Sequence, residues 1–233
     1  MSKHSKWSKI KNQKFSADVK KSATFTKFIR GIAVAAREGV DPAKNFKLRM
    51  ALDSAKAAGV PKDTIDRALA RASGEGEALE EALYEALGPG KVGIMIEAVT
   101  NNKNRTFNDL RKLLDDHGGV LGQSGTVGWQ FTRFGVVRLN VSKNDNLELQ
   151  LIDLGAEDIK EEDGGLTIYT QVPNFQNLLE GLEKMGLKPE YQGLEWVAKE
   201  PVEVDETVHG KLEKLYEDLD EADDVQNYYT SEA

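Results

Sequence analysis

Apolar side chains recur at helical spacing in three short stretches near the beginning of the chain. In the first stretch they fall at i, i+3, i+4, i+7, i+8 and i+11, namely Phe25, Phe28, Ile29, Ile32, Ala33 and Ala36. The second stretch fits residues 45–58 and ends at Gly59, and the third begins near Pro61. This periodicity predicts three short helices that pack into a small bundle with a basic exterior.

Residues 1–22 carry only four large apolar side chains, which are Trp7, Ile10, Phe15 and Val19. A segment this polar cannot bury enough apolar surface to fold alone. We therefore expect an arm that becomes ordered only when it docks on the protein or binds a partner.

Further along the chain the pattern becomes a mixture of strands and helices. Residues Val92–Thr100 are mostly apolar and predict a buried strand. Thr106 predicts the cap of a helix that directs Phe107 inward. The alternating apolar residues of the stretch 127–131 predict a further strand.

The stretch 134–200 predicts a complete β-α-β-β-α-β unit, which is the element order of the ferredoxin-like sandwich. Its elements are a strand from Phe134, a helix near 147–154, strands at 157–162 and 166–172, a helix at 174–185 and a strand near 194–199. The tail then predicts a helix at 206–221 and a strand at 225–230. These two are the elements that the region 83–133 lacks to complete a second sandwich.

The predicted fold is α+β: an N-terminal three-helix bundle with a basic arm, followed by two ferredoxin-like α/β sandwich domains, one inserted in the other. We place the arm and the helical domain at residues 1–75, the discontinuous α+β domain at 83–133 plus 205–233, and the inserted domain at 134–204. The linker is predicted at residues 73–78, which contain two glycines and no large apolar residue.

Charge is divided unevenly along the chain. Residues 1–72 hold 17 basic and six acidic side chains, whereas residues 73–233 hold 14 basic and 33 acidic ones. A concentrated basic module is typical of proteins that bind a polyanion, although a solvated lysine-rich tail is the alternative. The acidic stretch Glu213–Asp224 predicts a solvated helix face, with electrostatic masking of the basic arm as the alternative.

The sequence organises neither a catalytic site nor a metal site. The chain has no cysteine, which excludes thiol catalysis and thiolate ligands. The G-x-G-x-x-G motif of Gly88–Gly93 leads into a strand instead of a helix, so we interpret it as a turn and not as a nucleotide site. Residues 115–117, Asp-Asp-His, favour a solvated helix end over a metal site, and Ser124 has no partner base. We expect no enzyme activity, no cofactor and no metal.

Two segments are candidates for contact with nucleic acid. In the arm, Trp7 lies among lysines and either stacks on a base or docks the arm on the bundle. Residues 101–106 lie before a predicted helix N-terminus, which attracts phosphate, although a polar turn is the alternative. The candidate nucleic-acid-binding residues are Lys3, His4, Lys6, Trp7, Lys9, Lys11, Lys14, Lys20, Lys21, Lys27, Arg30, Arg37, Arg49, Lys56, Arg67, Arg71, Lys103 and Arg105.

A series of short motifs follows in order along the chain. They are His4-Ser-Lys-Trp7, Phe25-Thr-Lys, Ile29-Arg30, Ala35-Ala-Arg-Glu-Gly39, Pro61-Lys-Asp, Ile65, Arg67-Ala68, Tyr84-Glu, Gly88-Pro-Gly90, Thr100, Asn102-Lys-Asn-Arg-Thr106, Gly118-Gly and Leu121-Gly122. At these spacings the motifs are highly specific, and the chain resembles the YebC/PmpR family over nearly its whole length.

The resemblance implies three domains, one of them inserted in another, and a cytoplasmic DNA-binding regulator of transcription without enzyme activity or cofactor. The family is also similar to a mitochondrial translational activator, and some bacterial members act on ribosomes that translate proline runs. The chain departs from the family at Asn12 and Gln13, where His and Arg are usual, so two potential phosphate contacts are missing.

We therefore expect a non-enzymatic regulator that binds nucleic acid, with DNA as the target and ribosomal RNA or the ribosome as the alternative. An adaptor that binds only protein is a third possibility. We expect no membrane association, because the longest purely apolar run, Ile32–Ala36, is too short to span a bilayer, and no small-molecule substrate. The expected location is the cytoplasm.

Overall fold

The computed structural model describes residues 21–72, 78–162 and 164–233. They form two compact units: one contains the described residues up to Gln130 together with Ala198–Ala233, and the other is Phe131–Val197. Residues 1–20 of the predicted arm and residues 73–77 of the predicted linker lie outside the described residues. Because the helical segment and the first sheet share one unit, the division into three domains stays a prediction.

The helices and strands are numbered in order along the described residues. The helices are α1 (Lys21–Ala35), α2 (Phe46–Ala57), α3 (Lys62–Ala72), α4 (Lys103–Asp116), α5 (Asp145–Asp153), α6 (Phe175–Lys184) and α7 (Glu206–Glu221). The strands are β1 (Glu80–Leu87), β2 (Gly93–Thr100), β3 (Val120–Leu121), β4 (Phe131–Leu139), β5 (Ala156–Glu162), β6 (Gly165–Gln171), β7 (Tyr191–Ala198) and β8 (Val225–Thr230).

The three predicted N-terminal helices are confirmed as α1, α2 and α3, and they enclose a small apolar core. Ile32 of α1 and Leu48 and Ala55 of α2 are each fully buried in it. Asn45 joins α1 to α2. Its side chain accepts the N–H of Leu48 at 3.0 Å and also donates to two carbonyl oxygens at the end of α1, both at 2.7 Å.

The first unit also contains an antiparallel four-stranded sheet in the order β3-β1-β2-β8. Helices α4 and α7 cover one face of this sheet, and their apolar residues pack against Ile94 and Ile96 of β2. The residues that these helices contribute to the core are Leu110, Leu114, Leu212, Leu215, Tyr216 and Leu219. Alternate positions of β2 therefore provide the centre of the core.

The glycine motif at residues 88–93 forms the predicted turn, which connects β1 to β2. Gly90 has φ +69°, a conformation that favours glycine, and a Cβ at this position would lie 2.7 Å from Cγ1 of Val208. The glycine is thus required both by the backbone conformation and by the close approach of α7.

The second unit contains the predicted β-α-β-β-α-β element order, from β4 to β7. Its strands form a four-stranded sheet in the order β5-β6-β4-β7, in which β6 is antiparallel to both β4 and β5. Phe175, Leu178 and Leu182 of α6 are fully buried. The predicted elements agree with the observed ones to within three residues at each end.

Four sequence predictions about the first unit are wrong. The elements of its sheet domain follow in the order β-β-α-β-α-β, interrupted by the second unit after β3, and not in the ferredoxin-like order β-α-β-β-α-β that was predicted for it. Residues 128–130 form a 3₁₀ turn, and only Phe131 of the predicted strand 127–131 lies in a strand. Helix α4 begins at Lys103 with Asn102 as its cap, so Thr106 lies within the helix. The side chain of Phe107, which was expected to point inward, is exposed.

Strand β1 is an element that the sequence analysis did not predict. Its sequence, EEALYEAL, is rich in residues that favour helices. All eight residues nevertheless pair with β2, from Glu80 opposite Thr100 to Leu87 opposite Gly93. Among the described residues, every helix is too short or too polar to span a bilayer.

Candidate nucleic-acid interface

Lys27 and Arg30 of α1, which were predicted to bind nucleic acid, contact acidic residues at and just after the end of α7. Lys27 donates from Nζ to the carbonyl oxygen of Asp220 at 2.6 Å. Arg30 donates from Nη1 to the carbonyl oxygen of Asp223 at 2.7 Å and to Oδ1 of Asp224 at 2.8 Å. Burial lowers the pKa of Lys27, although the charges of Asp220 and Asp223 oppose this shift. These two cations therefore attach the helical segment to the sheet.

Asp224 is the centre of this contact. Its Oδ2 accepts from Nη2 of Arg105 at 2.8 Å and from Oγ1 of Thr106 at 2.7 Å, while its Oδ1 accepts from Arg30. The side chain is only 13% exposed. Burial would raise the pKa of Asp224, but the hydrogen bonds from Arg105 and Thr106 and the charges of Arg105 and Arg30 hold it below its usual value. The carboxylate therefore stays ionised and joins α1, α4 and β8.

Two further candidates make similar contacts near the start of β1. Arg37 donates to the carbonyl oxygen of Leu79 at 2.6 Å, and Lys103 lies 2.7 Å from a carboxylate oxygen of Glu80. Together with the three cations near Asp224, they form what we term the inner basic set: Lys27, Arg30, Arg37, Lys103 and Arg105. All five are directed at carboxylate or carbonyl groups of the same unit.

A second group of cations lies on α2, on α3 and just before α2, and we term it the outer basic set: Lys44, Arg49, Lys56, Lys62 and Arg67. Its contacts are local. Arg49 lies over the ring of Phe46, 5.2 Å from its centroid, and Lys56 lies 3.6 Å from the carboxylate of Asp53. Exposed pairs of this kind contribute little and are easily exchanged for another anion.

Lys44 and Lys62 were not among the predicted candidates, although both are exposed and carry the same charge as the candidates of α2 and α3. Of the other candidates, Lys21 and Arg71 lie in α1 and α3. The arm candidates lie outside the described residues, and they are Lys3, His4, Lys6, Trp7, Lys9, Lys11, Lys14 and Lys20.

The predicted phosphate site at residues 101–106 has a different character in the structure. These residues form the first turn of α4 and not a loop, and the Asn102 side chain accepts the N–H of Arg105 at 3.1 Å. Both basic residues of the turn belong to the inner basic set. An anion at this helix start would therefore compete with the Asn102 cap and with the carboxylates of Glu80 and Asp224.

The acidic stretch Glu213–Asp224 is only in part the solvated helix face that was predicted, and the alternative, masking of the arm, falls on residues outside those described. Glu213 and Glu217 are exposed, as expected for a solvated helix face. Asp224 is not solvated, and the basic partners at this end of the stretch lie in α1 and α4. His117, which was expected at a solvated helix end, instead has Nε2 2.6 Å from Oδ2 of Asp218.

Comparisons with known proteins identify relatives over almost the whole chain. Residues 5–75 match the TACO1/YebC protein N-terminal domain, and residues 79–231 match the TACO1/YebC second and third domain. Two proteins named "probable transcriptional regulatory protein", from Kosmotoga olearia and Pseudothermotoga lettingae, are each 44% identical over 99% of this chain and cover 94% and 93% of their own lengths. The crystal structure of a conserved hypothetical protein from Aquifex aeolicus has a TM-score of 0.83 at 36% identity, over 93% of this chain and 91% of that one.

Proposed function

Because the chain belongs to the TACO1/YebC family, we propose that it is a non-enzymatic regulator of transcription that binds DNA in the cytoplasm. The names of the relatives support a regulatory role. Within this proposal, the helical domain and the arm form the binding part, and a discontinuous α+β domain with a ferredoxin-like domain inserted in it forms the body.

The observation that carries the proposal is the outer basic set. Its cations are exposed or half-buried, and their partners are local and weak. The sequence adds seven more lysines in the first 21 residues of the chain. Lysines and arginines grouped in this way displace the counterions of a nucleic acid and bind its phosphates.

The two basic sets have different roles in this proposal. Lys27, Arg30 and Arg105 of the inner basic set already contact the acidic residues 220–224, so they fix the helical segment on the sheet and contribute little to the binding of phosphates. The outer basic set is exposed or half-buried and has only local contacts, so it retains its charge for the nucleic acid. Phosphate contacts of this kind position a protein without selecting a sequence.

A salt titration of the full-length protein on labelled duplex DNA tests the proposal. Lys56→Gln combined with Lys62→Gln removes two exposed charges of the outer basic set. Lys211→Gln combined with Lys214→Gln removes two exposed charges of α7 and serves as the matched control. We expect only the first pair to weaken binding and to reduce the slope of log affinity against log salt, by about 0.9 for each lost phosphate contact. Equal effects of the two pairs would contradict the proposal.

The alternative target is ribosomal RNA, which proteins recognise mainly through shape and backbone. Sedimentation through a sucrose gradient at moderate salt distinguishes the two targets. Footprints on promoters together with absence from ribosomes support the DNA target. If the protein instead co-sediments with ribosomes, and this is lost when Lys3, Lys6, Lys9 and Lys11 are changed to Ala, the target is the ribosome and not DNA.

A further inference from the structure

A buried carboxylate holds the loop that follows β3. Glu85 of β1 is 8% exposed, and its two carboxylate oxygens accept the backbone N–H groups of Gly125, Val127 and Gly128 at 2.7–2.8 Å. Burial would raise the pKa of Glu85, but these three hydrogen bonds hold it below its usual value. We term residues 122–130 the Glu85 loop, and its backbone is preorganised by these bonds.

The Glu85 loop presents the side chain of Trp129, which is 68% exposed. The indole Nε1 donates to the carbonyl oxygen of Thr126 at 3.2 Å, so the polar atom of the ring is already satisfied. The carbonyl oxygen of Trp129 accepts from Nζ of Lys199 at 2.8 Å, and that of Gln130 accepts from the backbone N–H of Lys199 at 2.9 Å. The ring is thus held in place, and its apolar surface is what remains for a partner.

The surroundings of Trp129 indicate the kind of partner. The other residues of the loop are small or polar except Val127, which is fully buried. Trp129 is the one large apolar side chain that the Glu85 loop exposes, whereas the apolar centre of a protein interface is formed by several large side chains that cluster. A flat ring beside an exposed lysine does match an unpaired nucleotide, whose base stacks on the aromatic and whose phosphate attracts the cation.

We propose that Trp129 is a stacking platform for an unpaired nucleobase, with Lys199 beside it to receive the neighbouring phosphate. The inference rests on the proposed binding of nucleic acid and adds a contact to single strands that the outer basic set does not provide. Since the indole N–H is satisfied within the loop, the contact is made by the ring face and tolerates any base. The protein would then hold a duplex through its basic helices and a looped or melted strand through Trp129.

Binding of the full-length protein to labelled 12-nucleotide oligo(A), oligo(dA) and a duplex of equal length tests this contact. We expect Trp129→Ala to weaken binding of the single strands by about 5- to 150-fold, the equivalent of ~1–3 kcal/mol per stacked base, with little change on the duplex. Trp129→Phe should retain most of the affinity because it keeps an aromatic face. Val120→Ala, which truncates another exposed apolar side chain of the same unit, is the matched control and should have no effect.

Two further readouts separate stacking from other roles of the side chain. With Trp7 and Trp196 changed to Phe, Trp129 is the only remaining tryptophan, and its fluorescence should be quenched when a single strand binds. Lys199→Met should weaken single-strand binding and lower its salt slope while leaving the quenching at saturation unchanged. If Trp129→Ala loses more affinity for oligo(A) than for oligo(dA), the strand that is bound is RNA. The opposite result identifies DNA.

Several results would overturn the inference. Unchanged single-strand binding by Trp129→Ala, with duplex binding still dependent on Lys56 and Lys62, would reject the platform and leave the proposed function intact. Wild-type affinity in Trp129→Leu would show that an apolar contact suffices and that stacking is not involved. A wild-type protein that binds neither single strands nor duplex would overturn the proposed function and this inference together.

Discussion

Asp224→Asn is the substitution that most directly probes how the basic segment is attached to the acidic body. The carboxylate accepts hydrogen bonds from Arg30, Arg105 and Thr106 at 2.7–2.8 Å. Asparagine has the same shape and removes the charge, so the packing around it is preserved. Any loss of stability then reports the electrostatic part of the contact.

The expected magnitude follows from the burial of the partners. Each hydrogen bond to a charged group contributes about 1.5–3 kcal/mol when it is well shielded. The side chains of Arg30 and Arg105 are 26% and 47% exposed, so both guanidinium groups regain water after the substitution. We therefore expect a loss of about 2–3 kcal/mol in the free energy of unfolding, below the range for breaking a fully buried pair.

Urea denaturation of the full-length protein at pH 7 measures this loss. Asp223→Asn is the matched control, because Asp223 is exposed and accepts from Arg30 through its backbone carbonyl, which the substitution leaves in place. The control should change the free energy of unfolding by less than about 0.5 kcal/mol. Equal losses in the two variants would refute the assignment of Asp224 as the centre of the contact.

The pH dependence gives an independent check. The pKa of Asp224 is lower in the folded protein than the usual 3.8, so its contribution is fully present above that pH. The contribution is lost as the pH falls through the lower pKa of the folded state. The difference in stability between the wild type and Asp224→Asn should therefore be constant at neutral pH and should narrow below about pH 4. A difference that persists unchanged into stronger acid would contradict the electrostatic explanation.

Two pairs of substitutions test local features of the fold by the same urea measurement. Asn45→Ala should cost about 2–4 kcal/mol, because it removes a helix cap and two buried hydrogen bonds, whereas Asn144→Ala removes only a cap and should cost about 1 kcal/mol. Gly90→Ala should cost about 2–3 kcal/mol from its positive φ and the contact with Val208, whereas Gly118→Ala, with φ +75° and open space around the Cβ, should cost about 1 kcal/mol. Equal losses in the free energy of unfolding for Asn45 and Asn144 would contradict the role of the two additional hydrogen bonds. Equal losses for Gly90 and Gly118 would contradict the role of the contact with Val208.

Elements with strong local signals could be predicted from the sequence. Helix α7 and strand β8 were predicted at residues 206–221 and 225–230, which are their observed bounds. Asp205 accepts the N–H of Val208 as a cap, and Leu212, Leu215 and Leu219 recur at the spacing of a buried helical face. In such elements the local pattern and the tertiary packing favour the same structure.

Strand β1 could not be predicted because its local and tertiary preferences disagree. Glu, Ala and Leu favour helices, but all eight residues of the strand pair with β2 and its last two also pair with β3, and this pairing selects the extended form. Its alternate residues Tyr84 and Ala86 then pack into the core. Pairing with the neighbouring strands, and not the local sequence, therefore determines the structure of β1.

The structure of the Glu85 loop could not be predicted either, because it is decided by a contact with one distant side chain. The alternation of apolar residues at 127–131 resembles a strand, yet Glu85 accepts hydrogen bonds from three backbone N–H groups within residues 125–128 and holds them in a turn. Glu85 precedes this loop by about 40 residues in the sequence, so no local pattern relates the two. The exposure of Trp129, on which the single-strand platform depends, is a consequence of that distant contact.

The number of basic residues in the N-terminal segment does not by itself give the number of phosphates that the segment can bind. A count of residues treats Arg30 and Lys62 alike, but Asp224 neutralises the first while the second faces solvent. The net charge of the segment therefore overstates the number of phosphates it can neutralise. If the outer basic set and the arm alone bind phosphate, substitutions within the inner basic set should lower stability while leaving the salt slope of duplex binding unchanged. A slope reduced by Arg105→Gln in a folded protein would show instead that nucleic acid displaces Asp224 from its partners.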